Sequence, residues 1–157
     1  MVKANFDGAI FTKEHRFGIG VVLRDDQGSV LASLSWQVSQ AYNLVEIEAT
    51  AAATVALRFA SKLGFSQVVL EGDLQVLMET LINDNVFLSS DGLLIDDIRL
   101  ATRFFSQLHY SHVKRKGNKV AHSLAKHVLC ISNFVVWMEN VPPPFFSIVL
   151  ANIIGFS

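Results

Sequence analysis

Three acidic residues carry the strongest chemical signal in this 157-residue sequence. They are Asp7, Glu48 and Asp73, and each lies where an apolar segment meets a polar one. A carboxylate is costly to bury unless it has a partner, so acids at such junctions need an explanation. Carboxylate oxygens are ligands that Mg²⁺ takes in proteins, and three from separate segments could hold this cation if the fold brings them together.

Each acid also has an ordinary structural interpretation. Asp7 precedes Gly8 and could be a turn residue at the end of a strand. Glu48 could lie in the first turn of a helix and favour its dipole, and the same holds for Glu46. Asp73 could be a helix N-cap, which is a common role for aspartate. Taken one at a time, these alternatives remain open.

The second signal is an uneven distribution of charge. The formal net charge is −1, which gives no overall attraction to nucleic acid or membrane. From Ile98 to Met138, however, the chain has no Asp or Glu. This segment contains Lys114, Arg115, Lys116, Lys119 and Lys126, together with His109, His112, His122 and His127. Basic residues next to an acidic site could contact phosphates, which would make binding salt-dependent.

Composition limits the class of protein. With 51% hydrophobic and 17% charged residues, the chain can form a core, and its length suits one domain. We expect this domain at residues 1–130, with an aromatic, proline-containing tail at 131–157 that packs on it. The single cysteine, Cys130, permits no internal disulfide and is expected in the core. With no signal peptide or membrane-spanning run evident, we expect an intracellular protein, nuclear or cytoplasmic.

The local patterns predict a mixed α/β protein. Three strands with short connections open the chain, and an Ala-rich helix follows. Helices and two more strands then alternate, which predicts parallel pairing after the antiparallel start. The predicted strands are Val2–Phe11, Phe17–Arg24, Ser29–Gln40, Gln67–Leu70 and His109–Lys114. The predicted helices are Leu44–Leu63, Asp73–Leu81, Asp91–Leu108 and Asn118–Leu129, with a polar loop at Asn83–Ser90.

Four motifs in this order resemble the plant RNase H-like, or reverse transcriptase-like, family. They are Asn5-Phe-Asp-Gly-Ala, Gly18-Ile-Gly-Val-Val-Leu-Arg-Asp, Val69-Leu-Glu-Gly-Asp and Arg115-Lys-Gly-Asn-Lys-Val-Ala-His-Ser-Leu-Ala. The resemblance covers about residues 2 to 130. It implies a ribonuclease H-like fold, with a mixed five-stranded sheet of three antiparallel strands followed by parallel strands and with helices on both faces.

The resemblance also implies a function, which is metal-dependent hydrolysis of the RNA strand of an RNA–DNA hybrid by a type 1 RNase H domain. Asp7, Glu48 and Asp73 match the family's metal ligands, with Mg²⁺, or Mn²⁺, as the cofactor. Glu46 is a possible substitute for Glu48, because residues two apart on a helix point about 200° apart and only one can face the site. The expected contacts to the hybrid come from Lys114, Arg115, Lys116, Asn118 and Lys119. Asn118 could equally be a helix N-cap.

One residue departs from the family pattern. His122 stands where the family has a fourth carboxylate, and a neutral imidazole brings no negative charge and prefers softer metals than Mg²⁺. His122 could then be a site residue or simply a surface residue on the polar side of its helix. The rival function is therefore a weakened or inactive module that binds hybrid or other nucleic acid. A third possibility is an interaction domain that uses the aromatic tail.

Overall fold

The computed structural model describes residues 1–39, 45–83, 92–131 and 133–140, without the side chains of residues 45–47 and 92–96. The strands are β1 Val2–Phe11, β2 Arg16–Arg24, β3 Val30–Ser39, β4 Gln67–Gly72, β5 Gln107–His112 and β6 Phe134–Met138. The helices are α1 Val45–Lys62, α2 Gln75–Ile82, α3 Gly92–Thr102 and α4 Lys119–Lys126. Short 3₁₀ turns at Arg115–Asn118 and His127–Cys130 flank α4.

One sheet organises these elements, in the strand order β5-β4-β1-β2-β3-β6. The first three strands pair antiparallel, whereas β4 pairs parallel with both β1 and β5. The mixed sheet predicted from the sequence is therefore confirmed. The predicted number of five strands was wrong, because Phe134–Met138 of the tail pairs antiparallel with β3 as a sixth strand.

The two faces of β2 explain how the helices pack. Its residues from Phe17 to Leu23 are all buried, as expected for a central strand covered on both sides. Alternate residues of β2 face the main core, which includes the Ala-rich side of α1. The others face α4, where Val22 packs against Val120 and Leu124. The sheet thus has helices on both faces, as predicted.

Two glycines of β2 allow α4 to approach the sheet closely. A Cβ atom at Gly18 would lie 2.1 Å from the carbonyl oxygen of Ala125, and one at Gly20 would lie 2.1 Å from that of Ala121. Neither distance is possible for a real side chain, so this packing requires glycine at both positions. The Gly18-Ile-Gly20 motif therefore places α4, and with it His122, close to the sheet.

Several element boundaries differ from the predicted ones. The helix predicted at Asp91–Leu108 ends at Thr102, because the backbone N–H groups of Ser106 and Gln107 bond to Ser66 and start β5 beside β4. The last predicted helix ends as a 3₁₀ turn. Cys130 is exposed rather than in the core. Of the polar loop predicted at Asn83–Ser90, all residues after Asn83 lie outside the described part of the chain, as do tail residues 141–157.

Candidate active site

The three acids line one pocket of about 350 Å³. Pairing between β1 and β4 ends at Asn5 and Glu71, so Asp7 continues on β1 just beyond the end of β4. Asp73 follows β4 directly, and Glu48 comes from the N-terminal part of α1. The pocket thus opens at the carboxyl end of a parallel strand, where ligands of α/β sheets bind. It is lined by Phe6, Asp7, Gly8, Ile10, Glu48, Ala49, Asp73, Leu74 and Arg115.

Both carboxylate oxygens of Asp7 already have hydrogen-bond partners. The backbone N–H of Gly8 donates to Oδ1 at 2.9 Å, and Nδ1 of His122 lies 2.7 Å from Oδ2. Burial and the nearby charge of Asp73 raise the pKa of Asp7, while the contacts to His122 and Gly8 oppose this change. The charge state of Asp7 therefore depends on both Asp73 and His122.

Glu48 is buried without a compensating charge. It is 6% exposed, and its Oε1 has no hydrogen-bond partner. Burial raises the pKa of Glu48 to about 7, because transfer out of water disfavours the charged form. The side chain of Glu46 lies outside the described residues, so the alternative assignment of that residue stays a prediction.

Asp73 is not the helix N-cap that its sequence position allowed. The N-cap position of α2 is Leu74, and no side chain caps this helix. The carboxylate of Asp73 instead lines the pocket, where its Oδ2 is buried without a hydrogen bond. Nε of Arg115 lies 3.7 Å from this oxygen, which is close enough for an ion pair but too long for a hydrogen bond. Asp73 is therefore available to a ligand.

His122 contacts the site rather than lying free on the surface of α4. Its side chain is 24% exposed, and the ring nitrogen Nδ1 makes the 2.7 Å contact with Asp7. The position matched to a fourth carboxylate thus adjoins Asp7. His122 adds no negative charge at this position, and its Nδ1 instead forms a hydrogen bond with Oδ2 of Asp7.

The basic turn, defined here as residues Lys114, Arg115 and Lys116, reaches the pocket through Arg115. All three side chains are exposed, as is Lys119 at the start of α4. Arg115 reaches the pocket, where its ion pair with Asp73 forms. Because exposed ion pairs are weak, Arg115 can exchange this partner for a ligand phosphate. Asn118 differs from the others, since it is only 1% exposed.

Comparison with known proteins identifies the family. The model of the family described as Reverse transcriptase-like matches residues 5–128, which include all three acids and His122. The chain belongs to this family. A search of curated proteins found no match.

Solved structures show which fold this family member has. RNase H1 from the halophilic archaeon Halobacterium salinarum NRC-1 is 25% identical, with a TM-score of 0.71 over 82% of this chain and 97% of that one. The N-terminal RNase H domain of a Mycobacterium tuberculosis protein is 21% identical, with the same TM-score over 82% and 93%. LC11-RNase H1, solved in complex with an RNA/DNA hybrid, is 16% identical, with a TM-score of 0.64 over 82% and 99%. The fold is therefore that of RNase H.

The carboxylate oxygens in the pocket of this reverse transcriptase-like domain are of the ligand type that Mg²⁺ binds. Two carboxylate oxygens, Oε1 of Glu48 and Oδ2 of Asp73, are buried in the pocket without hydrogen bonds. Buried acceptors of this kind are rare unless an ion or another partner satisfies them. Within the described part of the chain, no three His, Cys, Asp or Glu side chains converge closely enough to form a ready ligand shell. Metal binding would therefore require the carboxylates to adjust their rotamers.

Sequence reasoning missed two residues next to the site. Asn5 bonds to Asn118 and Arg24 bonds to Asn5, and none of the three contributes to the lining of the pocket. The available signal was the strand alternation of β1, which places Asn5 on the same face as Asp7.

None of the helices described is long and apolar enough to span a membrane.

Proposed function

We propose that this chain is a metal-dependent ribonuclease H that hydrolyses the RNA strand of an RNA–DNA hybrid. The observation that carries the proposal is the pocket itself, which Asp7, Glu48 and Asp73 line and in which two carboxylate oxygens are buried without hydrogen bonds. Membership of the reverse transcriptase-like family and the RNase H fold support it. LC11-RNase H1, which shares the fold, was solved with an RNA/DNA hybrid.

In this function Asp7, Glu48 and Asp73 would hold the metal. Mg²⁺ bound there, or Mn²⁺ in its place, would activate a water and stabilise the leaving oxygen of a phosphodiester. The carboxylates would offset the positive charge, and burial of Glu48 and of Oδ2 of Asp73 would make their interaction with a cation stronger than it is in water. His122 would orient Asp7 through the contact between Nδ1 and Oδ2.

The exposed cations of the basic turn and Lys119 would bind the hybrid. Lys114, Arg115, Lys116 and Lys119 would contact phosphates, and their exposure and the position of Arg115 at the pocket support this role. A hybrid presents a wide, shallow minor groove with 2′-hydroxyls, which proteins recognise by shape rather than by base edges. Asn118, which we expected at this surface, is buried, so its position favours a structural role instead.

The second candidate is a binding module of the same fold with little or no activity. The observation in its favour is that His122 supplies no fourth negative charge and already occupies Oδ2 of Asp7. Such a module would bind the hybrid through the same cations. It would differ from an enzyme only in its weak affinity for metal.

The test is a cleavage assay on a labelled RNA–DNA hybrid, first with Mg²⁺ and then with Mn²⁺. We expect RNA-strand cleavage by the parent protein and none by Asp73→Asn, which keeps the shape of the side chain but loses its charge. Asp26→Asn, a change of an exposed carboxylate in the turn between β2 and β3, is the matched control and should cleave at the parent rate. Hybrid binding without cleavage by the parent would favour the binding module instead.

A further inference from the structure

A line of hydrogen bonds runs beside the pocket from β2 to β1 through the N-terminal end of α4. Nη2 of Arg24 donates to Oδ1 of Asn5 at 2.8 Å. Nδ2 of Asn5 donates to Oδ1 of Asn118 at 3.2 Å, and Nδ2 of Asn118 donates to the carbonyl oxygen of Phe6 at 2.9 Å. Asn5 and Asn118 are each 1% exposed, so these bonds form away from water.

Arginine fixes which group donates and which accepts in each hydrogen bond of this line. Arg24 can donate hydrogen bonds but cannot accept them, so the side-chain oxygen of Asn5 must face it. The amide nitrogen of Asn5 is then directed to Asn118, which must present its own oxygen. The amide nitrogen of Asn118 is thereby directed to the Phe6 carbonyl. Glu71, which lies opposite Asn5 in the parallel register, provides a negative charge that acts on Arg24.

These bonds attach α4 to β1 next to the catalytic pocket. Phe6, which accepts the bond from Asn118, directly precedes Asp7. His122 comes four residues after Asn118, which places both on the same side of the helix, and it contacts Asp7. The N-terminal part of α4 therefore bonds to two consecutive residues of β1. Arg115 lies three residues before Asn118, in the same 3₁₀ turn.

We propose that Asn118 is a positioning residue, which together with Asn5 fixes the basic turn and His122 relative to Asp7 and Asp73. An amide is required at both positions, because each must accept on one side and donate on the other. The consequence for catalysis rests on the proposed function. The positioning itself does not, and it can be measured whether or not the protein cleaves a hybrid.

The donor and acceptor roles of the two asparagines determine which substitutions test the proposal. Asn118→Asp keeps the size of the side chain but turns an oxygen toward the Phe6 carbonyl, so that two acceptors face each other. Asn5→Ala removes the support of Asn118 and leaves its bond to Phe6 in place, which gives a milder variant if the first one does not fold. Ser35→Ala is the matched control. Ser35 is also buried and also ties α4 to the sheet, by donating to the carbonyl of Leu124 at 2.7 Å, but it does not line the pocket.

The first measurement is amide hydrogen exchange of the full chain under conditions where every variant is folded. We expect exchange in residues 115–122 to be about tenfold faster or more in Asn118→Asp and Asn5→Ala, and unchanged there in Ser35→Ala. Equal effects of all three variants on this segment would overturn the proposal, because Asn118 would then be one ordinary anchor of α4 among several. Unchanged exchange in both asparagine variants would overturn it as well.

The second measurement is hybrid cleavage, with kcat and KM determined separately. Misplacement of catalytic groups by about 1 Å can reduce rates by about 100-fold, so we expect kcat to fall at least tenfold in Asn118→Asp. Ser35→Ala should keep kcat within about twofold of the parent. A parent protein that does not cleave would refute the proposed function, and the exchange experiment alone would then decide the positioning role. A normal kcat in a folded Asn118→Asp variant would show that the pocket does not depend on this residue.

Discussion

The buried carboxylate of Glu48 should make the protein less stable as the pH rises, and Glu48→Gln should remove this effect. Burial raises the pKa of Glu48 from its ordinary value of 4.5 to about 7. Between these two values the folded protein binds more protons than the unfolded chain does. The free energy of unfolding therefore falls as the pH increases through this range.

The expected magnitude follows from the two pKa values. Each pH unit between them contributes about 1.4 kcal/mol, so ionised Glu48 should lower the free energy of unfolding by about 3 kcal/mol at pH 8. Near pH 4 the residue is protonated in the folded state and largely so in the unfolded state, and its contribution is close to zero. The neutral amide of glutamine has no such pH dependence. The variant should therefore be more stable relative to the parent at pH 8 than at pH 4, by about 3 kcal/mol.

The assay is urea unfolding of the two proteins at several pH values in metal-free buffer. Glu79→Gln, which removes a carboxylate from the exposed side of α2, controls for the change in net charge. If Glu48 helps to bind a cation, Mg²⁺ at pH 8 should stabilise the parent more than Glu48→Gln. The reasoning is refuted if the stability curves of the parent and Glu48→Gln run parallel from pH 4 to pH 8.

Three further predictions concern the rest of the site and its support. Alanine at all three positions of the basic turn should lower the log–log salt slope of hybrid binding by about 0.7 to 0.9 per lost phosphate contact, and an unchanged slope in binding titrations would exclude such contacts. His122→Asp should lower the Mg²⁺ concentration needed for half-maximal cleavage, because it adds a hard oxygen beside Asp7; a metal titration that shows no decrease contradicts this. Gly20→Ala should destabilise the fold by about 3 kcal/mol through overpacking against α4, whereas Gly117→Ala, with 3.7 Å to its nearest neighbour, should be nearly neutral in urea unfolding.

The sequence was sufficient to predict the mixed sheet and to single out three acids that line one pocket. Local periodicity predicted the strand and helix order, and the resemblance to the reverse transcriptase-like family, rather than the position of each acid alone, assigned the three acids to one site. The sixth strand was not predictable in this way. Phe134–Met138 is apolar throughout, so its pattern does not distinguish a strand from a packed tail, and only its pairing with β3 decides this.

Residue roles that depend on distant partners were also beyond the sequence. Asp73 and Asn118 both occupy positions that are typical of helix N-caps, yet neither side chain caps a helix. Asp73 faces the pocket, and the amide of Asn118 is committed to Asn5 and Phe6, which are more than 100 positions away in the chain. Propensity describes what a residue can do locally, whereas burial against a partner determines which option has the lower free energy.

The effect of the contact between His122 and Asp7 on metal binding distinguishes the two candidate functions, an active ribonuclease and an inactive binding module. His122 can weaken metal binding in two ways, because it occupies Oδ2 of Asp7 and because it lacks the negative charge of a carboxylate. His122→Ala frees the oxygen without adding charge, whereas His122→Asp does both. Equal gains in Mg²⁺ affinity would identify occupancy of Asp7 as the limiting factor, and a gain in the aspartate variant alone would identify charge. A gain from either variant would show that one side chain on α4 limits how strongly Asp7, Glu48 and Asp73 bind a cation.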